Sequence, residues 1–137
     1  MSKTLTVEGD IGTVDSRTNL TTQGSVTAPS LVVPSGMTKI TKVIASASGE
    51  GLADGSCVYI LRLGGAGVLK GEQVITLGAA ARIAVQAGSD AAPQIGQLFI
   101  AEDVDIDVSP SDTINISGEM CGTDIGTTHM CVTVLFA

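Results

Sequence analysis

The sequence predicts an all-β protein: a single antiparallel β-sandwich, jelly-roll-like, with about eight to ten short strands. Stretches rich in Val, Ile and Thr alternate with breaks that contain glycine, and 17 glycines are spread over the 137 residues. Aromatic residues are only 2% of the chain, so the core has to be aliphatic, which suits flat interdigitating sheets. No helical period persists beyond about two turns.

The length of 137 residues is that of one domain. Residues 1–29 are rich in Thr, Gly and Asp, and they are predicted to form an N-terminal arm that orders against a neighbouring chain. Within this arm, residues 4–8 and 20–27 are interpreted as extended segments or edge strands. Residues 30–137 are predicted to form the β-sandwich domain.

The middle of the chain is predicted to contain five strands, at residues 30–33, 38–48, 56–63, 72–77 and 97–101. The Ala-rich stretch 78–87 allows one short helix, although its β-branched residues and flanking glycines disfavour it. The glycine-rich stretch 62–71 lacks the spacing of a phosphate-binding loop and is interpreted as a hairpin connection.

The clearest predicted strand covers residues 102–109. Its apolar and acidic side chains alternate, with Val104, Ile106 and Val108 on one face and Asp103, Asp105 and Asp107 on the other. Three stacked carboxylates repel one another, so lysine or arginine on a neighbouring strand, or a partner surface, is expected to offset them. The calcium-loop pattern fails at its sixth and twelfth positions, which leaves a solvated face as the favoured interpretation and a weak cation site as the alternative.

Two predicted strands are apolar on both faces. In residues 129–137, Met130, Val132, Val134 and Phe136 oppose Cys131 and Leu135, and in residues 56–63, Tyr59, Leu61 and Leu63 oppose Val58 and Ile60. A sandwich strand needs only one buried face. The second face is therefore expected to be covered either by another part of the chain or by another subunit. Residues 113–120 form a cleaner alternating strand between these two.

The sequence predicts no catalytic, cofactor-binding or metal-binding residues, and the protein is not expected to be an enzyme. The single histidine, His129, could meet Cys121 or Cys131 only by accident of folding, and no Cys-x-x-Cys pair supports zinc. The three cysteines, which include Cys57, are interpreted as small buried hydrophobes. A disulfide between Cys121 and Cys131 across a hairpin remains the alternative.

The formal net charge of −7 disfavours nucleic acid and anionic membranes as partners. Residues 1–6 contain no apolar leader, and no run of about 18 apolar residues occurs, so neither a signal peptide nor a membrane span is expected.

The segments VDIDVSPSDTINISG at residues 104–118 and MCGTDIGTTHMCVTVLF at residues 120–136 resemble small structural proteins of tailed phages and archaeal viruses. These include capsid decoration, or cement, proteins and small jelly-roll capsid proteins. The resemblance implies a virion protein that forms a homo-oligomer, such as a trimer or pentamer, on or in a shell. The chain departs from capsid proteins that grip RNA because it lacks their long basic arm.

The functional expectation is a structural assembly protein, a capsid or decoration subunit whose partners are copies of itself and another capsid protein. It would be assembled in the host cytoplasm and located in the virion. The alternative is a non-catalytic β-sandwich that binds a ligand or glycan through loop residues such as Asp54 or Asp90.

Overall fold

A computed structural model describes residues 3–11, 18–20, 31–50, 55–82, 96–122 and 127–137. In these residues the chain forms nine strands and no helix. The strands are β1 (Lys3–Ile11), β2 (Thr18–Asn19), β3 (Leu31–Val32), β4 (Lys39–Glu50), β5 (Gly55–Gly64), β6 (Gln73–Arg82), β7 (Gly96–Asp107), β8 (Thr113–Gly122) and β9 (Thr127–Phe136).

The strands form two sheets in which every pair is antiparallel. Sheet A has the order β1-β9-β4-β7, and sheet B has the order β2-β8-β5-β6, with β3 also paired to β8. Since β2 and β3 are two short pieces on the same neighbour, each sheet has four strand positions. Chain-adjacent strands mostly lie in different sheets, as in the double Greek key of a jelly roll. The predicted fold class is confirmed.

The core is one largely aliphatic layer between the sheets, in which Tyr59 and Phe136 are the largest fully buried side chains. From Met130 onward every second residue of β9 is fully buried in it, and so are the alternate residues Tyr59, Leu61 and Leu63 of β5. The β9 set consists of Met130, Val132, Val134 and Phe136, each 0% exposed. A bulge between Ile40 and Lys42 shifts the alternation of β4, so that both Ile40 and Val43 face the core.

Two predicted boundaries were wrong in the same direction, because pairing extended the strands. The predicted strands at 97–101 and 102–109 are one strand, β7, which pairs with β4 along its length. The stretch 78–87, in which a short helix was considered, continues β6 as far as Arg82, and its remainder lies outside the described residues. Backbone pairing with β5 therefore outweighs the local preference of alanine.

The first predicted segment belongs to the sandwich. Residues 3–11, assigned above to an arm ordered by a neighbour, pair with β9 of their own chain from Lys3 opposite Phe136 to Ile11 opposite Thr128. Val7 and Ile11 are buried in the core. The domain boundary at residue 29 stays a prediction, and the segment 20–27 is described only at its first residue, Leu20, which is buried.

The glycine-rich stretch is the connection between β5 and β6, as predicted, and it docks against the turn between β7 and β8. The Gly67 amide donates to the Thr113 carbonyl at 2.7 Å, and the Ser109 amide donates to the Gly67 carbonyl at 2.9 Å. A β-carbon on Gly67 would lie 2.7 Å from Cγ2 of Ile114 and 2.9 Å from the Thr113 oxygen. The close approach of two backbones therefore requires glycine at this position.

Replacing Gly67 with alanine is expected to destabilise the fold by about 1–3 kcal/mol, because the added methyl group displaces backbone rather than a flexible side chain. The free energy of unfolding in urea measures the effect. Gly64→Ala is the matched control, since its β-carbon would meet only the Glu72 side chain, at 3.5 Å. If Gly64→Ala lowered the free energy of unfolding as much as Gly67→Ala does, the docking of this loop would be contradicted.

Candidate functional site

The outward surface of sheet A is a flat grid, here called the sheet A face, with one residue from each strand in every row. Strand register assigns three rows across β1, β9, β4 and β7. They are Thr4-Leu135-Lys42-Asp103, Thr6-Thr133-Ile44-Ala101 and Glu8-Cys131-Ser46-Phe99. A fourth row begins with Asp10 and His129 and continues through the register positions of Ser48 and Gln97.

The centre of the sheet A face is neutral and partly apolar. Phe99 is 73% exposed, the most exposed large hydrophobic side chain in the described part of the protein. Ile44, Leu135 and Cys131 are half-buried, since neighbouring side chains cover only their flanks. Small polar residues fill the spaces between them, and the hydroxyl oxygens of Thr6 and Thr133 are 2.8 Å apart. Such a surface can pack against another flat sheet.

One end of the sheet A face carries a histidine held between two carboxylates. Nδ1 of His129 lies 2.8 Å from Oδ1 of Asp10, and its Nε2 lies 3.6 Å from Oε2 of Glu8. The hydrogen bond to Asp10, with the charges of Asp10 and Glu8, raises the pKa of His129 above 6.5, and partial burial opposes this only in part. The ring separates the two carboxylates, so the three groups do not converge on a common point as metal ligands would.

The other end of the sheet A face carries the aspartates predicted along one face of β7, and lysines of β4 offset their negative charge as expected. Lys42 pairs with Asp103 at 3.5 Å, and Lys39 pairs with both Asp105 and Asp107. Lys70, from the β5–β6 connection, also reaches Asp107, at 3.1 Å. Hydrogen bonds from Lys39 and Lys70 lower the pKa of Asp107 below its usual value.

The ammonium groups of these lysines therefore occupy the positions beside the carboxylates that a metal ion would take if the alternative, a weak cation site, held. Among the described residues, no group of three or more His, Cys, Asp or Glu side chains is arranged to hold one.

Cys131 lies on the sheet A face, one row from His129. Its thiol is free, and the predicted alternative of a disulfide with Cys121 is therefore wrong. The physical reason is that β8 and β9 lie in different sheets and do not form a hairpin. Partial burial, with the nearby charge of Glu8, raises the pKa of the Cys131 thiol. A nucleophilic cysteine needs the opposite shift.

The outward surface of sheet B carries charged groups that form ion pairs with one another. Arg62 lies near the centre of this surface, with Nε 3.0 Å from Glu119 and Nη1 3.3 Å from Glu72. Ser117, directly opposite Arg62 in the strand register, is only 8% exposed. Glu119 is 13% exposed, but Arg62 is 22% and Glu72 is 39% exposed, so this charged network still contacts water.

The second apolar faces predicted for β9 and β5 are half-exposed at Cys131, Leu135 and Ile60, and Val58 lies outside the described side chains. Sequence reasoning missed Phe99. The signal was present, because three consecutive apolar residues at 98–100 force at least one of them outward from a strand. The loop residues Asp54 and Asp90 lie outside the described residues.

No protein-family model matches the sequence, and no curated protein matches it. Among solved structures, Eiger TNF from S. frugiperda is 10% identical over 94% of this chain and 91% of that chain, with a TM-score of 0.36. A chain of the T13 IBDV viral particle is 10% identical over 98% of this chain and 31% of that chain, with a TM-score of 0.40. A chain of the infectious bursal disease virus Gx strain is 11% identical over 99% of this chain and 33% of that chain, with a TM-score of 0.35.

This chain thus spans about a third of the viral chains that it matches. At these scores the similarities carry no argument about function. In the described part of the chain, no helix is long and apolar enough to cross a membrane.

The pairing of β1 with β9 is expected to weaken as the pH rises. The raised pKa of His129 means that its stabilising contribution is complete below about 6.5 and is lost as the pH rises through the folded-state pKa. For this exposed cluster the contribution is a few tenths to about 1 kcal/mol. Urea unfolding of the wild type at pH 5.5 and 8.5 should show the loss.

His129→Gln is the control variant, and it should remove the difference between the two pH values. Asp10→Asn should shrink the difference, because Asp10 is the main cause of the shift. A pH dependence that persists unchanged in His129→Gln would refute the assignment.

Proposed function

We propose that this protein is a structural subunit that self-assembles into a homo-oligomer, as part of a virion shell or as a decoration on one. The observation that carries the proposal is the charge-poor centre of the sheet A face, with the aromatic ring of Phe99 in water. Surfaces of this composition, charge-poor at the centre and charged at the rim, are typical of protein contacts. The resemblance of residues 104–136 to small viral structural proteins supports the virion setting.

Further apolar side chains stand in water elsewhere on the described surface. They are Val32 at 54%, Leu69 at 60% and Val74 at 52% exposure. Single exposed valines or leucines are ordinary on a protein surface. Phe99 differs because its whole neighbourhood on the sheet A face is uncharged apart from Glu8. The proposal therefore concerns a surface and not one residue.

The proposal includes no catalysis. The pKa of the Cys131 thiol is raised, a shift that opposes nucleophilic chemistry at this sulfur. The net charge of −7 keeps the subunit soluble before assembly and supports protein partners over nucleic acid.

Light scattering coupled to size-exclusion chromatography tests the proposal. The mass is expected to be a multiple of the 13.8 kDa chain, and electron microscopy should show particles of uniform size. The oligomer should persist at raised salt, because apolar contacts are not screened as ion pairs are. A monomer at every concentration and salt level would refute self-assembly.

A further inference from the structure

We infer that the sheet A face packs against the same face of a second copy about a two-fold axis. This axis lies between the two packed sheets, parallel to them and perpendicular to the strands. The axis passes between the row of Ile44 and the row of Ser46. This inference rests on the proposed self-assembly and adds the contact surface and its geometry. The two surfaces are identical, so a two-fold contact closes on itself.

The contrast between the two sheets selects this face. On the outward surface of sheet B, Arg62 is already satisfied by Glu72 and Glu119, and covering it would remove a charged network from water at a cost. The centre of the sheet A face has no such network. Its charged groups lie at the two ends and, for Glu8, on the edge strand β1, so they belong to the rim of an interface, which can stay hydrated.

The area of the face sets the scale of the contact. Four strands at about 4.8 Å spacing and four rows at about 6.8 Å give roughly 500 Å² for each copy when the charged first and fourth rows are included. The pair would then bury about 1,000 Å², which is below the range of stable interfaces and at the threshold for a weak, specific contact. Packed sheets cross at about −30°, an angle that a two-fold contact between twisted sheets accommodates.

The row register gives shape complementarity about the proposed axis. The two-fold rotation places each strand over the same strand of the second copy. It places the second row of one copy over the third row of the other. Phe99 then lies over Ala101 of the second copy, and Ile44 lies over Ser46 of the second copy, so a large side chain meets a small one in both pairs. This alternation lets the side chains of two flat faces interdigitate at a sheet separation of about 10 Å.

The same rotation brings no carboxylate over another. Glu8 falls over Thr6 and Asp10 over Thr4, while His129 falls over Leu135 at the rim of the contact. The other face-to-face arrangement, with the axis along the strands, would set Glu8 over Phe99 and bury a carboxylate against a phenyl ring. The charges therefore favour the axis across the strands.

Cross-linking at Cys131 tests the contact in the intact protein. Cys131 falls over Thr133 of the second copy, which places the two Cys131 thiols about one row, or ~7 Å, apart along the strands. A short bis-maleimide should join them, and peptide mass spectrometry distinguishes a 131–131 link from links through Cys57 or Cys121. The raised pKa of the thiol calls for labelling at mildly alkaline pH.

Phe99→Glu is the interface variant, and Val74→Glu, which alters a similarly exposed side chain of sheet B, is the matched control. Phe99→Glu should raise the dissociation constant of the two-fold contact about 30-fold or more and abolish the 131–131 link. Val74→Glu should leave both unchanged. Circular dichroism and thermal unfolding verify that each variant remains folded.

The outcomes separate this inference from the proposed function. Both self-assembly and the sheet A contact are supported if the oligomer contains an even number of chains and forms the 131–131 link, and if only Phe99→Glu abolishes that link. An oligomer that is unchanged in Phe99→Glu and forms no 131–131 link retains self-assembly and overturns the sheet A contact. A wild-type monomer overturns both.

Discussion

The whole sandwich depends on one constraint: a single, largely aliphatic layer holds the sheets together, and each strand can give that layer only every second residue. β9 shows this most clearly, since Met130, Val132, Val134 and Phe136 are completely buried. On β8, a β-carbon at Gly118 would lie 2.6 Å from Cδ1 of Ile11 and 2.7 Å from the Met130 sulfur. The sheets approach each other so closely here that these two side-chain ends would have to shift to admit a larger residue.

The alternate residues that the core does not take determine what the surface can do. β9 lies between β1 and β4, so its outward residues occupy the middle of a broad face and not an edge. Residues at such positions are surrounded by other side chains, and Cys131 and Leu135 are accordingly half-buried. Phe99 lies on the edge strand β7, where neighbours shield it from one side only.

Alternation along single strands was predictable from the sequence, whereas the partners of each strand were not. The apolar and acidic faces of residues 102–109 follow from their two-residue period, and the structure buries Ile106 and Val108 while Asp103 and Asp105 stay exposed. That β8 and β9 separate into different sheets depends on long-range contacts that a local pattern does not encode. For the same reason the sheet A face could not be assembled from the sequence, since its rows combine residues from four distant segments.

The distribution of charge limits how two copies can meet. β1 and β7 are the edge strands of sheet A, and unpaired edges invite pairing with other chains. The β1 edge carries Glu8 and Asp10, so pairing of two β1 edges would bring like charges together, whereas lysines offset the aspartates of the β7 edge. The centre of the face offers no such repulsion. The proposed contact between copies therefore pairs faces and not edges, and a two-fold contact of this kind closes on itself.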